Sequence, residues 1–562
     1  MTPTSNRKRP GRNGPDAGLG DFQTPDRFAE AVCERLRRLY PPAPQALLEP
    51  TCGEGSLAAS ALAAFGGLRQ VFGIEIDPGR FRRAAARLGA VRGGAELRLY
   101  NEDVFRFDFS RIARELAPAD GLLAVGNPPW VANSRLGALG SRNLPEKRNL
   151  KGLPGLDALT GKGDFDLAEA VVLRILAAFR GFRLTLAMLV KATVARNVVR
   201  DLGRLGLPVS SADLHVFDAG EVFGVSCEAG LLVLRAGDPP TGVCSVYDFP
   251  TGAFLRRFGW RGGSFYSDLG APDPGIGGRC AFEWRQGIKH DCARVMELTP
   301  AGGGAFRNGL GEEARLPEGK SVFPLAKSSD LRSPVPAAPG RRVVVPQRRP
   351  GEDTSRLREE DPEVWRYLSL HRDLLASRRS AVYRGAPEFA VFGVGPYSFA
   401  RFKAGVSGFY KEPVFALIAG DPPCMLDDTC YFLPFDCLTD AAITVALLNT
   451  PECLSFLKSV AFLDSKRPYT KEVLMRVDLG RLALKVGWRR ARGLVLAVAP
   501  SCGISESVYD AYRRRCVSSP RAGGAAPQRA GSLAGPGTRA RGAAAGSGRR
   551  GGGPPDAPRQ AP

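Results

Sequence analysis

Leu122-Leu123-Ala124-Val125-Gly126-Asn127-Pro128-Pro129-Trp130 is the stretch on which the fold of this chain turns. Its apolar first half has the pattern of a strand buried on both faces. The two prolines end the strand ladder, because neither offers a backbone N–H. Pro128 also keeps Asn127 out of the helical region. These features predict a rigid turn at the carboxyl end of a parallel strand, where open α/β sheets hold their ligands. The turn presents one amide, carbonyls with no ladder to satisfy, and one large flat ring. The amide oxygen of Asn127 and the carbonyl of Pro128 can accept both hydrogens of an exocyclic NH2, and Trp130 can stack on a planar group. A Pro-Pro loop with one buried Trp is the plainer alternative, and the upstream sequence shifts the balance away from it.

Upstream, Ala46-Leu47-Leu48 is a short strand running into Glu49-Pro50-Thr51-Cys52-Gly53-Glu54-Gly55-Ser56 and then a helix over 57–65. Gly53 and Gly55 let the backbone approach a ligand closely. The full G-x-G-x-x-G is missing and an acid sits at the strand end, which argues against a pyrophosphate and suits a cofactor with an ammonium group. Val71 to Glu75 is the next strand, followed by Ile76; an acid there accepts from ribose hydroxyls. A third strand, Leu97 to Tyr100, leads to Asp103, an acceptor for an adenine amino group. Before all of these, Phe22-Gln23-Thr24-Pro25-Asp26 opens an amphipathic helix over 27–40, with Thr24 as N-cap and Pro25 at its first position.

Glu49-x-x-x-Gly53-x-Gly55, Glu75 and Asp103 resemble the S-adenosylmethionine site of class I methyltransferases, and Asn127-Pro128-Pro129-Trp130 resembles the (D/N)PP(Y/F/W) motif of enzymes that methylate planar amino groups. The order of the motifs, with the Thr24-Pro25 segment first and a long C-terminal part last, is similar to that of gamma-group adenine-N6 DNA methyltransferases of bacterial restriction–modification systems. The resemblance covers residues 21–236. It implies an α/β fold: a Rossmann-like methyltransferase domain with a mixed, mostly parallel sheet, plus a C-terminal α+β target-recognition domain. It implies S-adenosylmethionine held by Thr24, Glu49, Cys52, Gly53, Gly55, Glu75, Ile76, Asp103 and Asn127. Asn127, Pro128, Pro129 and Trp130 would act on a flipped-out adenine of double-stranded DNA, and Phe223 matches an aromatic facing the base from the side opposite Trp130. A core aromatic is the plainer reading of Phe223. Gly163-Asp164-Phe165-Asp166-Leu167, opening a helix over 168–179, and the strand over 184–190 resemble further family motifs. Residues 131–160, with Lys147, Arg148 and Lys151, read as a loop over the site or as plain solvated chain. The resemblance also implies a monomer in the bacterial cytoplasm, near the nucleoid, with a separately encoded restriction endonuclease as possible companion.

Composition sets the outer limits. The chain has 562 residues, enough for two or three cores, and 44% of them are hydrophobic, as in globular proteins. There is no long uncharged apolar run and the N-terminus is basic, so neither a membrane span nor a secretory signal is expected. Twelve cysteines without C-x-x-C pairs and three histidines argue against a zinc site. Net charge is +21, part of it in residues 513–562, which carry ten Arg against one Asp. A basic excess suits a polyanionic partner, although Arg-rich composition alone is weak support.

Residues 1–20 and 517–562 read as disordered and basic, 237–490 as the target-recognition domain, and 491–516 as an extension. Within 237–490, residues 301–340 read as loop and Val343-Val344-Val345 as a strand. Arg348-Arg349, Arg378-Arg379, Tyr397 to Lys403, Phe409-Tyr410-Lys411 and Lys466 to Lys471 place bases among or beside aromatic residues, as nucleic-acid contacts do. Asp464-Ser465-Lys466 and Glu318-Gly319-Lys320 match the acid-x-Lys pattern of nucleases, which arises easily by chance. Rival functions are cytosine-N4 methylation, methylation of RNA or of a protein glutamine, and a DNA-binding protein with an inactive methyltransferase fold.

Overall fold

Short apolar runs separated by helix-length segments become parallel strands: β1 (Ala46–Glu49), β2 (Gln70–Ile74), β3 (Glu96–Tyr100) and β4 (Leu122–Gly126). The computed structural model describes residues 22–40, 43–131 and 166–518. β5 (Leu184–Lys191) lies parallel to β4; β7 (Glu228–Ala236) runs antiparallel between β5 and β6 (Val209–Asp218). The order from the edge is β3-β2-β1-β4-β5-β7-β6. Period-two alternation sends Leu48, Phe72 and Ala124 into one core and Leu47, Val71, Leu123 and Val125 into the other. Helices α1 (Asp26–Leu39), α2 (Ser56–Ala64) and α3 (Pro78–Val91) cover the Leu47 side; α4 (Ser110–Ala113) and the helices Leu167–Ala178 and Ala192–Leu202 cover the Leu48 side. Each apolar side chain fully buried this way contributes about 1.5–3 kcal/mol.

The sheet does not stop at residue 236. β8 (Val243–Asp248) pairs parallel with β6, and β9 (Phe254–Arg261) and β10 (Ser264–Tyr266) extend it to ten strands. Cys244 and Val246, both fully buried, alternate with less buried neighbours, so the signal was a short half-buried strand. Residues 301–340 are not simply loop either. β11 (Glu297–Gly302), β12 (Ala305–Asn308), β13 (Glu313–Arg315), β14 (Val322–Ala326) and β15 (Arg341–Val344) form antiparallel pairs, with Gly302, Gly303 and Gly304 making the first hairpin turn at positive φ. The glycines that read as loop are the turn.

Helices Leu438–Leu448, Leu479–Val486, Trp488–Val498 and Glu506–Ser518 share one core, in which Val495, Tyr509 and Tyr512 are buried beside Leu447 and Leu482. Residues 491–516 therefore belong to the C-terminal core rather than extending from it. Arg196, buried on the helix Ala192–Leu202, pairs with Asp464 and lies 4.3 Å over Phe462, tying this core to the first sheet. The expected disordered stretch 1–20, almost all of the tail 517–562 and the loop with Lys147, Arg148, Lys151 and Gly163 lie outside the described residues. Among the described residues no helix is long and apolar enough to cross a membrane.

One buried pair docks α1 on the sheet. His215 of β6 is 1% exposed, lies 2.6 Å from the Tyr40 hydroxyl and stacks on Tyr247 of β8. Burial, aided by Arg35, lowers its imidazole to about 4. The folded group is neutral and the unfolded group gains a proton below its usual 6.5, so this contribution to stability is complete above about pH 6.5 and is lost between there and about pH 4. The loss is on the order of 3 kcal/mol. Chemical denaturation of the wild type should therefore weaken more steeply from pH 7 to pH 5 than that of His215→Gln; equal slopes would exclude a buried neutral imidazole.

Candidate active site

Four consecutive parallel strands end on one cavity. Glu49 closes β1, Glu75 follows β2, Asp103 follows β3 and Asn127 follows β4, and all four line it. Thr24, Cys52, Gly53, Ile76 and Pro129 line it too; Gly55, Pro128, Trp130 and Phe223 do not. Among these residues Ile76 is 45% exposed, an apolar side chain presented at the mouth.

The glycine turn is shaped by its own N–H groups. Gly53 and Gly55 have φ of +52° and +79°, and Gly55 is the N-cap of α2. A Cβ on Gly53 would lie 2.5 Å from the Gln23 side-chain oxygen, so the turn and the segment before α1 touch at van der Waals limit. Glu75 holds the turn from below: its carboxylate accepts from Gly53 N–H and from Asp77 N–H, each at 2.8 Å. Glu49, 3% exposed, accepts from Ala58 N–H in the first turn of α2 at 2.9 Å. Burial pushes its carboxyl well above the usual range, the Ala58 bond opposes this, and the neighbouring Glu75 adds to it. Burial and the same two acids keep the Cys52 thiol protonated. Asp103 accepts from Phe105 N–H at 2.9 Å, and Asn101 donates to the carbonyl of Glu75 at 2.8 Å.

Asn127 is oriented by its amide nitrogen. Nδ2 donates to the Phe22 carbonyl at 2.7 Å and to the Thr24 hydroxyl at 3.3 Å. Its Oδ1 is buried and, among the described residues, has no hydrogen-bond partner. Thr24 does not cap α1: Pro25 takes that position with no side-chain cap, and the Thr24 oxygen faces Asn127 instead. Phe22 and Gln23 also belong to the site, and the sequence marks them by position alone, immediately before Thr24-Pro25.

Trp130 is 6% exposed and donates its indole N–H to the Leu189 carbonyl at 3.0 Å. Phe223 meets it edge to face, centroids 5.2 Å apart at 77°, and Phe22 packs on both rings at 5.7 and 5.9 Å. The expected sandwich, with a base between Trp130 and Phe223, is closed in this conformation: a base between two rings needs them parallel and roughly 7 Å apart. The three aromatics satisfy one another as a core cluster instead.

The basic and aromatic runs of the C-terminal part divide: most of their bases, Arg348, Arg349, Arg379, Arg401, Lys411 and Lys471 among them, are exposed, while some members are internal. Lys403 is 1% exposed and Tyr469 fully buried; burial lowers the Lys403 ammonium to about 8. Arg378 donates to the carbonyls of His290 and Ala390 and lies 3.9 Å over Tyr383; Arg348 lies 4.5 Å over Phe399. Asp464 and Glu318, the acids of the two nuclease-like triplets, are taken up in ion pairs with Arg196 and Arg342.

The sheet order, the reversed β7 and a carboxylate-lined cavity at the strand ends define a class I methyltransferase. The chain is 35% identical over 470 residues to the Type II methyltransferase M.NspV of Nostoc sp. (strain ATCC 29411 / PCC 7524), a match covering 83% of this chain and 97% of that protein. It belongs to the Type II methyltransferases of restriction–modification. No family model matches it. Among solved structures it is similar to the Type IIL restriction-modification enzyme MmeI in complex with DNA (12% identity, TM-score 0.48, 88% of this chain and 71% of that one). It is also similar to a class I S-adenosylmethionine-dependent methyltransferase of Listeria monocytogenes (13%, TM-score 0.29, 40% and 65%). The methyl donor is S-adenosylmethionine. The cavity suits it: two buried carboxylates, Glu49 and Glu75, repel each other there, which favours a cationic ligand.

Proposed function

We propose that the chain methylates DNA on the exocyclic N6 of an adenine held outside the duplex. The observation that carries this reading is the buried Oδ1 of Asn127, an acceptor with no partner among the described residues, on a side chain lining the same cavity as Glu49, Glu75 and Asp103. A buried acceptor left unpaired costs about 1–3 kcal/mol. An amino group of the target is the complement that would relieve it.

The amine nitrogen is a poor nucleophile because its lone pair is delocalised into the ring. Asn127 has no proton to take or give near neutrality, so general-base catalysis is not its task. Its Oδ1 and the Pro128 carbonyl accept the two amino hydrogens and turn the lone pair toward the donor; this is positioning and electrostatics. When bound, S-adenosylmethionine supplies a methyl group on a sulfonium, which is electrophilic without help. The nitrogen–carbon bond forms as the carbon–sulfur bond breaks, and the surplus amine proton leaves to solvent. In this reading Glu49 faces the cofactor ammonium, Glu75 the ribose hydroxyls and Asp103 the adenine amino group, with Cys52, Gly53 and Ile76 shaping the walls and Gly55 starting the helix behind them. Trp130 provides the ring on which the base stacks, worth about 1–3 kcal/mol against the few spent in flipping. Phe223 must then turn away from it. DNA is the partner, and cleavage belongs to a separately encoded restriction endonuclease.

Labelled cofactor with unmethylated genomic DNA, followed by nucleoside analysis, tests the proposal. Label in N6-methyladenine is the expected result. Label in N4-methylcytosine, or only in an RNA control, would replace it.

The Glu49 assignment has its own signature. In the free fold its carboxyl keeps a proton above the range where an unfolded carboxyl loses one. Its stabilising contribution is therefore present at low pH and declines as pH rises past about 4.5. A bound ammonium favours the carboxylate, so cofactor binding should release a proton at pH values above the ordinary carboxyl range. Calorimetry in buffers of different ionisation heat reads this release, and Glu49→Gln should remove it.

A further inference from the structure

The segment Phe22-Gln23-Thr24 touches both halves of the site. At Gln23 it meets the glycine turn: its side-chain oxygen accepts from Glu54 N–H at 3.3 Å and lies 2.5 Å from where a Gly53 Cβ would be. On either side of Gln23, the Phe22 carbonyl and the Thr24 hydroxyl accept from Asn127 Nδ2. An asparagine amide has two orientations of nearly equal shape. Turned over, Asn127 would bring Oδ1 against the Phe22 carbonyl at the 2.7 Å now spanned by a hydrogen bond, and would offer N–H groups to an amine whose hydrogens need acceptors. The orientation is thus chosen by the two acceptors and not by the amide itself.

We propose that Thr24, with the Phe22 carbonyl, is a positioning residue for the transfer step, holding the Asn127 amide with its oxygen toward the target amine. This rests on the function proposed above. Through Gln23 the same three residues set the distance between the acceptor and the cofactor turn, so one short strap registers donor and target. Among the described residues the amide has these two acceptors for its Nδ2 and none for Oδ1 to pair with, which is buried without a partner.

The test uses the full chain, S-adenosylmethionine and unmethylated DNA. Thr24→Val keeps the volume and removes the acceptor. It should lower kcat about tenfold and leave KM for the cofactor within about twofold, and Thr24→Ser should restore kcat. A raised KM with unchanged kcat would make Thr24 a cofactor ligand and overturn the proposal, as would a variant unchanged in both. A second variant reads the strap directly. In Asn127→Asp one carboxyl oxygen must face the Phe22 carbonyl, so only the protonated acid fits. Its kcat should fall with unit slope above the pKa of that acid, in a range where the wild type is flat. A pH-independent Asn127→Asp would also overturn the proposal. Failure of the proposed function shows elsewhere: Asn127→Ala with full turnover removes the acceptor role itself, whatever Thr24→Val does.

Discussion

Asn127→Ala is expected to lower kcat by about 10³-fold or more while cofactor affinity stays near that of the wild type. Under the proposed function the substitution removes the side-chain acceptor for the target amine, and the Pro128 carbonyl alone cannot fix two hydrogens. It touches no cofactor carboxylate: Glu49 and Glu75 keep their bonds to Ala58 and Gly53. The loss of the Nδ2 bonds to Phe22 and Thr24 costs about 1–2 kcal/mol of stability, too little to unfold a domain with two full cores. Single-turnover methylation of DNA alongside a cofactor titration separates the two effects. Equal turnover in the variant would end the amino-methylation assignment.

Glu75→Gln should produce the opposite split: cofactor affinity reduced about 100-fold and kcat at saturation within about threefold. Glu75 is 7% exposed, and its two oxygens accept from Gly53 N–H and Asp77 N–H. A glutamine has one oxygen, so one of these N–H groups would face an NH2 and lose its acceptor. Both bonds are charge-assisted, each worth about 1.5–3 kcal/mol. The glycine turn would lose its hold and the ribose its carboxylate together. An affinity unchanged within error would mean that the ligand does not use the end of β2.

The first half of the molecule was legible because its signals are local. Buried parallel strands read as apolar runs, and a Pro-Pro after such a run can only be its end. Glu49, Glu75, Asp103 and Asn127 could be picked out because each comes directly after a strand or a few residues beyond it. The C-terminal half was less legible for a physical reason. An arginine beside an aromatic ring has the same sequence pattern whether the partner is a base or a Phe of the same chain. Here Arg348 chose Phe399 and Arg378 chose Tyr383, and Lys403 lies buried within the fold. The glycines of 302–304 read as loop because a hairpin turn and an unstructured stretch share composition, and only pairing across the turn tells them apart.

From the residues alone came the apolar strands, the acids at their ends, and the stiff turn that carries Asn127: steric and hydrogen-bonding limits act on neighbours in the chain and need no partner. Three-dimensional packing decided which way the Asn127 amide points, that Thr24 serves it and does not cap α1, and that Trp130 and Phe223 rest on each other. These outcomes depend on groups about a hundred residues apart meeting within 2.7 to 5.2 Å, and no spacing along the chain encodes such a meeting.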